Sequence, residues 1–151
     1  MKLKPVNIAL TGVLSFYCVL VKADLGGTSL AFSMRNDIVS ITPISSPNPL
    51  SYTVKKIITS DGVEVHEYTD ASGVVFGIYW IGEIKPDLTK FLGSYFTRYR
   101  TALNNLASGR VPISIADQDF VLQTGGRMNH FFGMSCLPNL LPKGVAVNDI
   151  Q

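Results

Sequence analysis

The stretch DLTKFLGSYFTRYRTALNNLA, residues 87–107, decides the fold. Leu88, Phe91, Leu92, Tyr95, Phe96, Tyr99, Leu103 and Leu106 recur at steps of three and four. Lys90, Ser94, Thr97, Arg98 and Asn104 fall mainly between them. That spacing puts an apolar stripe down one side of a helix. Asp87, directly after Pro86, is placed to cap its start. Twenty-one residues make a rod of about 30 Å. Gly93 in its middle costs about 1 kcal/mol relative to alanine. The expectation is that it lets the helix backbone approach a sheet closely.

Working outward, three strands are expected upstream. Residues 74–81 are apolar on both alternating faces, with Val74, Phe76, Ile78 and Trp80 on one and Val75, Tyr79 and Ile81 on the other. Such a strand is central and covered on both sides. Residues 63–69 and 52–59 precede it. Asp61-Gly62 supplies a tight turn between them, and Gly73 a left-handed position before residue 74. Downstream, residues 119–124 and 128–135 read as two strands joined at Gly125-Gly126. Pro138 and Pro142 bracket a short helical turn, and residues 144–151 are not expected to extend a sheet far. Nearer the start, Thr28 or Ser29 caps a short helix to about Ser40, with Leu30, Met34, Ile38 and Ile41 near helical spacing. Pro43, Pro47 and Pro49 mark a loop after it. The fold class is α+β: an antiparallel sheet of about five strands on one long helix, with a short N-terminal helix.

Residues 1–23 read as a secretory signal. Lys2 and Lys4 precede an uncharged run at residues 8–21, and Val21-Lys22-Ala23 places cleavage after Ala23. The run is shorter than the ~20 residues of an ordinary transmembrane helix; a retained anchor is the alternative. Residues 24–151 then form one α+β domain in the periplasm or outside the cell, with no stable membrane span after processing. Losing Lys2, Lys4 and Lys22 reduces 13 basic residues to 10 against 11 acidic, a net charge of −1. Such a chain lacks the basic footprint of a nucleic-acid binder. The 46% hydrophobic and 16% charged content of the full 151 residues exclude a disordered chain, and aperiodic glycine excludes collagen. Cys18 leaves with the leader, so Cys136 is the sole thiol of residues 24–151. Between Met134 and Leu137 it is expected to be buried.

Two blocks carry a family resemblance. One is His66-Glu67-Tyr68, Ser72-Gly73-Val74-Val75-Phe76, Trp80, Pro86-Asp87-Leu88 and Leu92-Gly93-Ser94-Tyr95-Phe96. The other is Leu122-Gln123-Thr124-Gly125-Gly126, Met128, Phe131, Gly133, Leu137-Pro138, Leu141-Pro142, Gly144-Val145 and Asp149-Ile150-Gln151. With Leu25-Gly26-Gly27, the chain resembles the bacterial domain of unknown function numbered 2844. The resemblance spans residues 24–151 and implies an exported bacterial protein. It transfers no activity and no functional residue.

Each chemical signal has a plainer competitor. Cys136 with His66 or His130 would make a nucleophile and base, but no third residue orients them and the apolar setting keeps the thiol protonated. His66 and His130 with Glu64, Glu67 or Asp119 offer no compact metal-ligand spacing. Gly125-Gly126-Arg127 lacks the following helix that a phosphate cradle needs. The candidate interaction surface is Trp80, Tyr95, Tyr99 and Arg98, with Arg127 and His130; helical spacing equally explains Tyr95 and Tyr99 as core. The rings, Phe131 and Phe132 included, exceed what one sheet face and one helix bury, and a leftover apolar patch would mark a binding site.

Two functions are therefore expected to compete. The first is a non-catalytic binding or accessory module of the cell envelope, without cofactor, whose partner is a protein or a small apolar ligand. The second is an envelope hydrolase using His66 with Glu67 or Asp119. Self-association into a homodimer, through strand edges or Cys136, is compatible with either.

Overall fold

Gly62, at φ 81°, turns the chain between two strands in register from Tyr52↔Asp70 to Ile58↔Glu64. From this hairpin the sheet grows in both directions. The computed structural model describes residues 24–29, 38–44, 52–106 and 112–151. Its strands are β1 (Ile38–Ile44), β2 (Tyr52–Thr59), β3 (Glu64–Asp70), β4 (Val75–Gly82), β5 (Ile113–Ala116), β6 (Val121–Arg127) and β7 (His130–Cys136). They form one seven-stranded sheet in the order β1-β2-β3-β4-β7-β6-β5, every pairing antiparallel. Residues 1–23, the expected leader, and residues 30–37, where most of the expected N-terminal helix falls, lie outside the described residues.

Three expectations are corrected here. The sheet has seven strands, not five. Residues 38–40, expected to end a helix, begin β1 instead, because Ile38, Ile41, Thr42 and Ile44 are β-branched and find a partner in β2. Pro43 is tolerated there because β1 is the edge strand among the described residues, paired on one side by β2. The other added strand, β5, has four residues, too few for alternation to show in the sequence. Finally, Gly125-Gly126 is not the β6–β7 turn. Both glycines lie within β6, and the chain reverses at Met128-Asn129, where Asn129 takes φ 62°. Asparagine tolerates that left-handed conformation better than most residues.

The glycines answer to neighbours instead. A Cβ on Gly125 would come 2.7 Å from Cζ of Phe132, its cross-strand partner. The same arrangement recurs on the opposite face, where Trp80 lies over Gly133 and a Cβ there would meet Trp80 Cζ2 at 2.3 Å.

The face assignment within β4 also differs from simple alternation. Tyr68 pairs with Gly77 but Thr69 with Val75, so Phe76 is the extra residue of a β-bulge. The bulge turns Phe76 to the opposite side from Val75, Ile78 and Trp80, which share one apolar cluster.

The expected rod exists, in pieces: α1 (Thr89–Leu92), a 3-10 turn (Gly93–Tyr95) and α2 (Phe96–Asn104). Asp87 accepts the Thr89 N–H at the start. Gly93 serves neither a straight helix nor contact with the sheet. It takes φ 51°, and the space of its missing Cβ is filled by the Asp24 carboxylate, 1.7 Å from that position.

Leu88, Phe91, Leu92 and Tyr99 pack on Ile57, Val65, Val75, Ile78, Trp80 and Leu122, which makes this the helix face of the sheet. The other, the tail face, carries Tyr52, Val54, Tyr68, Phe76 and Cys136, with Ile150, Leu141, Val145 and Val147 from the C-terminal segment against them. Without extending the sheet, residues 141–151 cover one end of it.

Candidate functional site

Cross-strand pairing lines up one row over the tail face: Thr42, Lys56, His66, Tyr79, Met134, Gln123 and Ser114. The C-terminal segment seals only the neighbouring row of Val54, Tyr68 and Cys136. Beyond its edge lies an open groove of about 490 Å³. Tyr79, Met134, Phe132 and Ile150 supply its apolar surface, and Ser114 and Gln123 its polar side chains. Its volume falls within the ~300–1,000 Å³ of small-molecule sites, and mostly apolar lining with a few polar groups is their usual character. Phe132 is 42% exposed, so the surplus of rings in the sequence emerges at this groove.

Ile150 forms the wall between sealed and open parts. It fits over Gly77, where a Cβ would come 2.6 Å from its Cδ1. Beside it the Tyr68 hydroxyl donates to the Gln151 carbonyl at 2.6 Å, and the Gln151 N–H donates to the Tyr68 oxygen at 3.0 Å. His66 Nδ1 lies 3.0 Å from the same carbonyl, and its Nε2 2.9 Å from Glu64 Oε1. Lys56 Nζ takes the other Glu64 oxygen at 2.6 Å. The Lys56 hydrogen bond, aided by His66, holds the Glu64 carboxyl below its usual range.

Glu67, next along β3, points to the helix face and is fully buried. Its Oε1 accepts from Ser29 at 2.6 Å and from Thr69 at 3.3 Å, with Lys55 Nζ at 3.9 Å. Oε2 has no hydrogen-bond partner among the described residues. Burial pushes this carboxyl up, outweighing the hydrogen bond from Ser29 and the charge of Lys55.

The residues of the hydrolase reading do not converge. His66 and Glu67 occupy opposite faces. Asp119 belongs to the β5–β6 turn, where Arg98 grips it through two 2.7 Å contacts and holds its carboxyl below the usual range. His130 shares the face of His66 but lies two strands and four residues away, roughly 16 Å at ordinary strand spacing. Cys136 is fully buried beneath the C-terminal segment, and desolvation raises its thiol to about 11. Among the described residues, no three His, Cys, Asp or Glu side chains are grouped to hold a metal ion.

The six candidate surface residues separate into three places. Trp80 and Tyr99 are buried in the helix-face core. Tyr95 stacks on Phe120 with centroids 4.9 Å apart, and the Arg98 guanidinium lies over both rings while binding Asp119. Arg127 and His130 pair across the β6–β7 turn, and the His130 ring lies 5.7 Å from that of Phe132. Neither lines the groove, but His130 touches Phe132, which does. Met134, Gln123, Ser114 and Ile150 had not been singled out by sequence. The parity of Phe132, Met134 and Cys136 along β7 was the available signal, but it does not say which part of that face another segment covers.

Fold and groove define a helix-backed antiparallel sheet with one face partly open. The chain belongs to a family of proteins of unknown function (DUF2844), whose model matches residues 21–150. No curated protein and no solved structure matches it. Among the described residues, no helix is long and apolar enough to cross a membrane.

Proposed function

We propose that this protein is a non-catalytic binding module of the bacterial cell envelope that holds a small apolar ligand in the Tyr79–Phe132–Met134 groove. In this reading residues 1–23 are removed at export and residues 24–151 work in the periplasm or outside the cell. One observation carries it: a half-exposed phenylalanine beside an open apolar groove, on a sheet face that the C-terminal segment covers only in part. Leaving that much apolar surface in water has a cost, and a ligand that covers it recovers about 25 cal/mol per Å². Catalysis is not required by any feature of the groove, whose polar lining is hydroxyl and amide rather than acid, base or thiolate.

The test uses the naphthylamine dye 1-NPN, which brightens in apolar surroundings. Saturable brightening at one dye per chain, lost in Phe132→Asp but kept in Arg98→Ala, supports the reading. Equal brightening in both variants, or none in the unaltered protein, overturns it. Export is tested separately, by mass spectrometry of protein from its native host: an intact Met1 would remove that part of the proposal.

A further inference from the structure

A charged residue lies just beyond one end of the groove. His130 projects from the same face as Phe132, as their 5.7 Å ring contact shows. Arg127 is its cross-strand partner, so it shares that face, two residues beyond Gly125 at the groove's limit. Both side chains are exposed. Arg127 forms no ion pair among the described residues. On the same face, Glu64 is engaged by Lys56 and His66 two strands away. Glu83, just past β4, pairs with neither Arg127 nor His130. An uncommitted guanidinium therefore stands where the apolar floor ends. From His130 to Met134 the floor runs four residues, about 13 Å.

We propose that the ligand is a monomeric anionic amphiphile, a single acyl chain ending in a carboxylate. The chain lies over Phe132, Met134 and Tyr79 toward Ile150. The carboxylate meets Arg127, whose planar fork of donors suits bidentate contact with a carboxylate, and His130 adds a donor beside it. This rests on the groove being the binding site. An uncharged chain would satisfy the floor and leave the arginine without a role; an anion without a chain would have, among the described residues at this end, one exposed guanidinium to hold it.

Decanoate and 1-decanol share a chain and differ in the head, so they separate the two claims. Both are titrated below micelle formation, with Trp80 fluorescence as readout, since the indole lies against Gly133 under the groove. Arg127→Gln and Phe132→Ala serve as variants; neither residue is buried, and circular dichroism checks their folding. Decanoate is expected to bind one per chain. Arg127→Gln weakens it about tenfold, the scale of one charge-assisted contact, and leaves decanol unchanged. Phe132→Ala weakens both. If Arg127→Gln affects neither ligand while Phe132→Ala affects both, the anionic head is wrong and the groove stands. If neither ligand binds, the groove reading falls with it. Binding only to anionic vesicles and not to monomers would assign the charge to a membrane surface and overturn the proposal.

Discussion

The two faces of the sheet solve the same problem with different material. On the helix face, α1 and α2 close over Ile57, Val65, Ile78, Trp80 and Leu122. On the tail face the cover is a segment with only short 3-10 turns, and it reaches across one end. A helix presents a continuous apolar stripe. An irregular segment covers what its own few side chains touch, here chiefly beneath Leu141, Val145, Val147 and Ile150. The lesson is clearest in the two ring-on-glycine pairs. Trp80 over Gly133 is 2% exposed, and Phe132 over Gly125 is 42% exposed. The local device is the same, and only the presence of a covering element separates a buried ring from an exposed one.

Replacing the two rings tests this contrast most strongly. Trp80→Ala is expected to cost about 3–5 kcal/mol of stability. Phe132→Ala should cost about 1 kcal/mol, because much of its ring is already in water. Urea unfolding followed by circular dichroism measures both; equal losses would erase the distinction between the faces. Next comes Gly93→Ala. In an ordinary helix this change would stabilise by about 1 kcal/mol. Here the positive φ and the Asp24 carboxylate reverse the sign, and a loss of about 1–3 kcal/mol is expected. A gain would mean that the strap at residues 24–29 does not hold the helix.

A smaller effect is expected on the tail side. Gly77→Ala pushes against Ile150 Cδ1, the movable end of a side chain, at about 1 kcal/mol. Amide hydrogen exchange should then quicken in residues 141–151 and stay unchanged in α2. Equal quickening in both would show that the two covers are not independent.

The smallest effects are pH-dependent and of opposite sign on the two faces. Glu67 has a raised carboxyl, so the folded state holds its proton more tightly than the unfolded state. Its contribution is most favourable below the ordinary carboxylate range and declines as pH rises toward the raised value. Glu64 has a lowered carboxyl, so its contribution is present above the ordinary range and is lost as pH falls through the lowered value. Glu67→Gln should therefore remove a fall in stability toward neutral pH, and Glu64→Gln a fall toward acid. The Glu64 change should be under about 1 kcal/mol, since the pair is partly solvated. Thermal midpoints measured from pH 3 to 7 check both, and slopes of the same sign would refute the opposite shifts of the two carboxyls.

Much of the helix face was legible in advance. The three-and-four spacing of residues 87–107 identified the helical span, and Leu88, Phe91, Leu92 and Tyr99 on that stripe are the residues it buries. The hairpin at Asp61-Gly62 was equally plain, since a positive φ is a local demand that the sequence states locally. Other glycines misled for the complementary reason. Gly125 answers to a ring on β7 and Gly93 to a carboxylate from residue 24. From sequence alone each reads as a turn or a weak spot. The bulge at Phe76 was hidden too, because an extra residue shows only when a partner strand is present to fix the count.

By itself, the sequence determined the class of structure, the helix and its buried stripe, the central strands, and membership in a recognisable family. Periodicity and turn chemistry act over a few residues, so they can be read without knowing where distant segments go. Tertiary structure alone decided that residues 38–44 join the sheet and that His66 and Glu67 face apart. It also decided that residues 141–151 do not cover Phe132. Those outcomes depend on strand register and on which surface another part of the chain covers, and an apolar side chain is the same residue whether or not anything comes to lie over it.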